Sequence, residues 1–269
     1  MGSAGWARLT AVFLTLGTAW LPAQVRKVTL TTLDWQPYTG EGLPGHGYAC
    51  RIVAEAFRAE GYQVDIRFYP WARALAEARE GLADGLFPEY YSEERKADFI
   101  YSSAFPGGPV GFMARRDSRI AYHGDPRTEQ AKVLQGLKQY TFGVVRGYIN
   151  TAEFDHAAYL KKEFCDSDEQ NINKLYNGRI DLIFIDKFVA DYLVETRFPS
   201  YAGALEFLEP PLEVKPLYIV FSRKAPDCGQ KARDFDAGLA RLLRSGRVKA
   251  IMRQYGLPYE RMNLNNNNN

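Results

Sequence analysis

The stretch YSEERKADFIYSS, residues 91 to 103, places one arginine between an aromatic-rich loop and an apolar strand that opens at Phe99. A guanidinium carries a fixed fork of hydrogen-bond donors, so Arg95 at a strand edge is well suited to binding a carboxylate. The alternative interpretation is a solvated surface cluster formed with its charged neighbours, such as Glu94 and Lys96. Other segments of the chain favour the first interpretation.

Three further segments accompany this stretch: WQPY at 35–38, PWARALAEAREGLADG at 70–85 and GRIDLIFID at 178–186. In this order and at these spacings, the four segments resemble the extracytoplasmic solute-binding proteins of the polar amino-acid type, bacterial family 3. Proteins of that family serve ABC importers and some sensor kinases. The resemblance covers about residues 28 to 257.

The resemblance implies an α/β, periplasmic-binding-protein-like fold of type II, in which two βα lobes are joined by two hinge crossings. Lobe 1 is expected to be discontinuous (28–111 and 215–258) and lobe 2 continuous (112–214). The crossings are expected near 110–113 and 215–219. The ligand is then expected in the cleft between the lobes.

Residue patterns support two βα lobes independently of the resemblance. Apolar, β-branched runs such as 28–33 and 141–145 alternate with helical spacing, as in 71–80. This alternation predicts βαβ units and a mainly parallel sheet, with ligands beyond the carboxyl ends of the strands. A chain of 269 residues with 46% hydrophobic and 25% charged residues is large enough for two lobes.

The N-terminus has the pattern of a targeting segment. Arg8 supplies a positive charge, residues 9–21 form an apolar run, and Ala23 closes a small-residue end. We therefore expect residues 1–23 to be a signal peptide and the protein to be periplasmic; an uncleaved membrane anchor is the alternative. The first cysteine is Cys50, so no lipid-attachment signal follows the apolar run. The Asn-rich tail, 259–269, is expected to be disordered.

Charge and cysteine content exclude several classes of function. The 34 basic and 32 acidic residues give a net charge of +2 without a basic stripe, so no nucleic-acid partner is expected. Cys50, Cys165 and Cys228 lack metal-ligand spacing and can form at most one disulfide within the chain, whose pairing stays open. No metal and no cofactor are expected. The resemblance implies a small-molecule ligand and an ABC permease of the inner membrane as partners, and the protein itself is expected to be a monomer.

Two tryptophans are candidates for the walls of the ligand site. Trp35 stands at a strand end, and Trp71 lies ten residues before Gly81. The resemblance implies that these aromatics cover opposite faces of the ligand, where a ring can also hold a cationic group. The alternative is that Trp35, Tyr38 and Trp71 only pack against the core.

The resemblance also assigns the polar contacts of an amino-acid ligand. It implies that Arg95 holds the ligand α-carboxylate and that Asp186, at the end of the strand 180–185, takes the ammonium. Asp186 is also a candidate helix cap for residues 187–196, and both roles can hold at once. Arg146 and Tyr148 belong to the second-lobe turn that faces the carboxylate, although Tyr148 is bulkier than the family's usual hydroxyl residue.

The chain departs from the family pattern before Arg95. The spacing from Asp84 to Arg95 is one residue shorter than usual, and bulky or acidic residues, including Glu89 and Tyr90, replace small ones. We expect Glu89 and Tyr90 to line a narrower, more polar cleft suited to a cationic or hydroxylated ligand. The alternative for Glu89 is a solvent-facing loop acid.

The resemblance implies a substrate-binding protein that captures a small polar solute, an amino acid or related carboxylate, for an ABC importer. A sensory ligand-binding module for a membrane receptor is one alternative. A dehydratase-like cleft enzyme is the other, with Glu89 as its only acid candidate. His46, His123 and His156 have no Ser or Cys partner at motif spacing, so the chain is not expected to be an enzyme.

Overall fold

The computed structural model describes residues 26–259, together with Gly2. The predicted signal peptide and Asn-rich tail therefore fall outside the described residues, apart from Gly2 and Tyr259. The strands are β1 Arg26–Thr32, β2 Tyr62–Phe68, β3 Gly85–Glu89, β4 Phe99–Tyr101, β5 Phe105–Arg115, β6 Thr141–Val145, β7 Lys161–Cys165, β8 Leu182–Asp186, β9 Leu205–Phe207 and β10 Glu213–Ser222. The helices are α1 Tyr48–Ala59, α2 Trp71–Arg79, α3 Gln130–Gly136, α4 Ala152–His156, α5 Asp168–Tyr176, α6 Lys187–Thr196, α7 Cys228–Arg244 and α8 Arg247–Gln254.

The strands form one continuous sheet in the order β2-β1-β3-β10-β5-β8-β6-β7. β4 pairs with β10, and β9 pairs with β5. The first half of the sheet contains β1, β2, β3 and β4, and the second half contains β6, β7, β8 and β9. The long central strands β5 and β10 connect the halves: β10 pairs with β3 and β4 through residues 218–222 and with β5 through residues 213–217. The predicted crossings at 110–113 and 215–219 lie within β5 and β10.

The prediction of a mainly parallel sheet holds only within each half. β1 is parallel to β2 and β3, and β6 is parallel to β7 and β8. Every pairing of β5 and β10 is antiparallel. The physical reason is that a chain that leaves one lobe and later returns must run in opposite directions at its two crossings, and the return strand can then pair directly with the outgoing strand.

Helices cover the first half of the sheet and approach one another closely. α1 buries Ile52, Val53, Ala56 and Phe57, at the helical spacing seen in the sequence, and packs against α7. A Cβ on Gly238 of α7 would lie 2.1 Å from the carbonyl oxygen of Ala56, so glycine is required at this contact. Among residues 26–259, no helix is both long and apolar enough to span a bilayer.

The parallel strands of both halves direct their carboxyl ends toward the cleft. Trp35 follows β1, Trp71 follows β2, and Tyr90 follows β3. From the other half, Tyr148 follows β6 and Asp186 ends β8. The topology therefore gathers residues that are distant in sequence at one place, as expected for ligand sites of open α/β sheets.

Candidate functional site

The two predicted tryptophans and Tyr148 form adjoining walls of the cleft. Trp35 and Trp71 are 8% and 6% exposed. The Tyr148 ring packs edge-on against both, with centroid distances of 6.4 Å to Trp35 and 5.7 Å to Trp71. Trp71 also donates from Nε1 to the carbonyl oxygen of Gly147, at 3.0 Å. This bond joins the start of α2 to the turn after β6, and so connects the two lobes.

Asp186 is buried, and both of its carboxylate oxygens have partners within the chain. Oδ1 accepts from the backbone N–H groups of Phe188 and Val189, at 2.8 and 3.2 Å, and so caps α6 as the sequence predicted. Oδ2 accepts from the hydroxyls of Tyr38 and Tyr90, at 2.8 and 3.0 Å. Burial raises the pKa of Asp186 to about 6. Both oxygens of the carboxylate that the resemblance assigned to a ligand ammonium are thus bonded within the chain, one of them to two tyrosines.

Tyr38 does more than pack the loop onto the core. Its ring is fully buried and stacks on Trp35, with centroids 4.6 Å apart, while its hydroxyl reaches Asp186 across the cleft. The approach depends on Gly108, since a Cβ there would lie 2.2 Å from the Tyr38 hydroxyl and 2.8 Å from Asp186 Oδ2. Tyr38, Gly108 and Asp186 therefore form one close contact between the lobes.

Arg95 is buried rather than part of a surface charge cluster. Its Nη2 donates to the Gly147 carbonyl oxygen at 2.8 Å, and its Nε lies 3.4 Å from Oε2 of Glu89. Glu89 is 3% exposed, so the alternative of a solvent-facing loop acid is wrong. Burial raises the pKa of Glu89 to about 7, although the Arg95 charge opposes this shift.

Asp168, which the sequence analysis did not single out, also lies in the cleft. Its Oδ2 accepts from Nε1 of Trp35 at 3.1 Å, and the Tyr148 hydroxyl interacts with the same carboxyl group. Burial raises the pKa of Asp168 to about 7, and the nearby charge of Asp186 acts in the same direction. The signal available in the sequence was the acidic run at 166–169, directly after the strand-like run at 161–165.

Arg146 does not join this cluster. Its side chain is 63% exposed, lies 3.5 Å from Asp166, and packs over the ring of Phe164. Its neighbour Gly147 brings the turn to the cleft instead, by offering one carbonyl oxygen to both Trp71 and Arg95. A glycine with φ of +79° at this turn allows that close approach.

Two cavities share the walls formed by Trp35, Trp71 and Tyr148, and we call them inner and outer. The inner cavity, next to Glu89 and Tyr90, has a volume of only about 20 Å³, which is room for about one water molecule. The outer cavity has a volume of about 450 Å³ and reaches Asp168. That volume is within the range of small-molecule sites.

The cysteines contribute no disulfide: Cys50, Cys165 and Cys228 are free thiols. Burial raises the pKa of the Cys50 and Cys165 thiols, which makes both poor nucleophiles at neutral pH.

Comparison with known proteins gives matches in structure only. No protein-family profile matches the chain, and no curated protein matches it. The chain is similar to the GluR0 ligand-binding core from Nostoc punctiforme in complex with L-glutamate, with a TM-score of 0.67 and 14% identity over 86% of this chain and 100% of that one. It is similar to a histidine kinase sensor domain that resembles periplasmic binding proteins, with a TM-score of 0.70 and 20% identity over 86% of this chain and 96% of that one.

A third similar structure is the substrate-binding protein of an amino-acid ABC transporter, with a TM-score of 0.68 and 15% identity over 85% of this chain and 98% of that one. These likenesses establish the fold. The chain has the two-lobed, periplasmic-binding-protein-like α/β fold, and the resemblance read from the four sequence segments is confirmed at that level.

Proposed function

We propose that the protein captures a small polar solute in the cleft between its lobes. The observation that carries this proposal is the burial of four ionisable side chains, Glu89, Arg95, Asp168 and Asp186, around the two tryptophans of the cleft. Buried charges are costly to the fold. Buried ionisable side chains cluster at functional sites, because the binding of a charged or polar solute requires charged groups in the binding site.

Lobe 1 is proposed to comprise 28–111 and 215–258, and lobe 2 to comprise 112–214, so that closure bends the chain within β5 and β10. Contacts between the lobes then form or break together as the cleft closes or opens. They include Trp71 to Gly147, Trp35 to Asp168, and the bond from Nζ of Lys215 to the Asn150 carbonyl oxygen, at 2.9 Å. A solute would enter the open form and be enclosed on closure.

The proposed setting is the periplasm, reached through the signal peptide of residues 1–23, with the protein a monomer that delivers its solute to an ABC permease. Similarity to the substrate-binding protein of an amino-acid ABC transporter supports this choice. Similarity to a histidine kinase sensor domain supports a second candidate, a sensory module for a membrane receptor. Both candidate functions would use the same pocket and differ only in the membrane partner. A pull-down from the membrane fraction distinguishes them by whether an ABC permease or a membrane receptor is recovered.

A dehydratase-like enzyme is less well supported. Glu89 has a pKa of about 7, which suits an acid–base catalyst, but it is paired with Arg95 and faces a cavity of only about 20 Å³. Any solute that binds should therefore be recovered unchanged.

The test is a thermal-shift screen of the purified protein, freed of carried-over ligand by unfolding and refolding. The panel comprises amino acids, carboxylate-free amines, small acids and oligosaccharides. A solute at 100 times its dissociation constant stabilises the native state by about 2.7 kcal/mol, a rise in Tm of roughly 5 to 10 °C at this size. An unchanged Tm across the whole panel would contradict the proposal. Trp71→Ala, which removes a cleft wall, should abolish any shift.

A further inference from the structure

The buried guanidinium that could bind a ligand carboxylate already faces a carboxylate of the chain. Glu89 Oε2 lies 3.4 Å from Arg95 Nε, and Nη2 of Arg95 is bonded to Gly147. The relative exposure of the two side chains is 9% for Arg95 and 3% for Glu89. An α-carboxylate that reached Arg95 would meet Glu89 at close range, and two carboxylates in one dry site repel strongly.

The other buried cation of the cleft is engaged as well. Lys215 Nζ donates to the Asn150 carbonyl oxygen, lies 3.7 Å from Oε2 of Glu213, and sits 5.1 Å from the centre of the Tyr90 ring. Arg197 lines the outer cavity, but its side chain is 60% exposed and lies 3.9 Å from Glu169. An exposed contact of this kind adds little binding energy.

Acidic groups dominate the outer cavity. Five acidic residues and one arginine line it. Asp168 is the buried member, at the point where the aromatic walls of Trp35 and Tyr148 meet. A cation placed there gains from the carboxylate. An anion placed there would be repelled by the surrounding carboxylates.

We propose that the solute is a small organic cation without a carboxylate, an alkyl amine or guanidine, and that Glu89 excludes amino acids by occupying Arg95. In this arrangement Asp168 accepts from the cationic head, and Trp35, Trp71 and Tyr148 enclose the alkyl chain. The inference rests on the proposed function, since it names the class of solute for the same cleft.

The test compares pairs of compounds that differ only in the α-carboxylate: agmatine with arginine, and cadaverine with lysine. Calorimetric titration of the refolded protein at pH 8, above the raised pKa values of Glu89 and Asp168, should give at least tenfold tighter binding of one amine than of its amino acid. Tighter binding of the amino acid in both pairs would overturn the inference and leave the proposed function standing. If neither pair binds, the inference also fails, and the wider thermal-shift panel then decides the proposed function separately.

A variant tests the role of Glu89 directly. In the wild type, Glu89 Oε1 accepts a hydrogen bond from the Tyr90 N–H at 3.1 Å. Glu89→Gln keeps the side-chain shape and an acceptor for this N–H, but removes the negative charge beside Arg95. The ratio of amine affinity to amino-acid affinity should fall at least tenfold. Equal weakening of both compounds would overturn the assigned role. The wild-type ratio remains a test even if this variant folds poorly.

Two control variants complete the design. Glu94→Gln removes an exposed charge from the same segment and should leave the ratio unchanged. Arg197→Gln, at the arginine that lines the outer cavity, tests the alternative carboxylate site, and tighter binding of the amine should persist in this variant. A selective loss of amino-acid binding in Arg197→Gln would show that Arg197 binds the carboxylate and would overturn the exclusion mechanism.

Discussion

The Glu89 carboxylate and the Arg95 guanidinium form a buried pair whose nearest atoms, Oε2 and Nε, lie 3.4 Å apart. The contact is electrostatic rather than a hydrogen bond, and neither atom has a hydrogen-bond partner among the described residues. A pair of this kind makes each member dependent on the other, because either one alone would be an uncompensated buried charge.

Replacing Arg95 by alanine should therefore destabilise the protein even without solute. We expect a loss of about 2 to 4 kcal/mol in the free energy of unfolding at pH 8, where Glu89 must either stay ionised without its partner or take up a proton. The loss should be smaller at pH 5, because Glu89 is then protonated and carries no charge. Urea unfolding at both pH values measures the difference. Lys96→Ala, at an exposed neighbour paired with Glu93, serves as a control and should change stability by less than about 0.5 kcal/mol. Equal stability of Arg95→Ala and wild type at pH 8 would contradict the buried pair.

The three buried carboxyl groups should make the wild-type protein more stable at pH 5 than at pH 8. The pKa values are raised by burial to about 7 for Glu89 and Asp168 and to about 6 for Asp186. At pH values between the ordinary pKa values of these groups and their raised values in the folded state, the folded state holds more protons than the unfolded state. Stability therefore falls as pH rises through about 4 to 7.

A rise in Tm of roughly 10 °C or more from pH 8 to pH 5 is expected, measured by calorimetry. Carboxylates with lowered pKa values, such as Glu55, make stability rise with pH, but only at pH values below their ordinary pKa, which is 4.5 for Glu55. Asp168→Asn should reduce the difference, since one titrating group is removed. A Tm that rises with pH over this interval would be inconsistent with carboxyl groups buried in a closed cleft.

Asp186 should contribute more to stability than an ordinary helix cap. Asp186→Ala removes the cap of α6 and leaves the Tyr38 and Tyr90 hydroxyls without their acceptor, at a cost of about 2 to 4 kcal/mol. Ser167→Ala removes only a cap, the bond from the Gln170 N–H to Ser167 Oγ, and should cost about 1 kcal/mol. Denaturant unfolding of both variants gives the comparison; equal losses would mean that the tyrosine bonds add nothing.

Much of the fold could be predicted from sequence because its signals are local. The run 141–145 was expected as a strand and is β6 with the same bounds, and the helix expected over 187–196 is α6. The antiparallel pairing of β5 with β10 was not predicted. Those strands are separated by about a hundred residues, and nothing in either one specifies its partner.

The residues of the candidate site could be predicted from the sequence better than the contacts between them. Trp71 and Arg95 meet at the Gly147 carbonyl oxygen, and Trp35 and Trp71 meet at the Tyr148 ring. The tryptophans follow the ends of β1 and β2, whereas Arg95 lies in the turn before β4. The pairing of Arg95 with Glu89 depends on how the loop folds between them. The bond from Tyr38 to Asp186 spans 148 residues, so no local pattern could have indicated it.

Gly108 should be needed for closure of the cleft. In Gly108→Ala the new methyl group would clash with Tyr38 and Asp186, and we expect a loss of about 1 to 3 kcal/mol in stability with weaker solute binding. Gly42→Ala is the matched control, since nothing lies within 4 Å of a Cβ at that position. Small-angle X-ray scattering should show a larger radius of gyration for Gly108→Ala than for the control. Identical scattering and stability would show that the contact does not hold the lobes together.

A crystal structure of the protein grown with the tightest-binding solute of the panel would show directly where the solute binds and which groups hold it. We expect solute density in the outer cavity, bounded by Trp35, Trp71 and Tyr148, with a cationic group within hydrogen-bond distance of Asp168 and with Glu89 still beside Arg95. Solute bound outside the cleft, or a solute carboxylate on Arg95 with Glu89 displaced, would contradict this expectation.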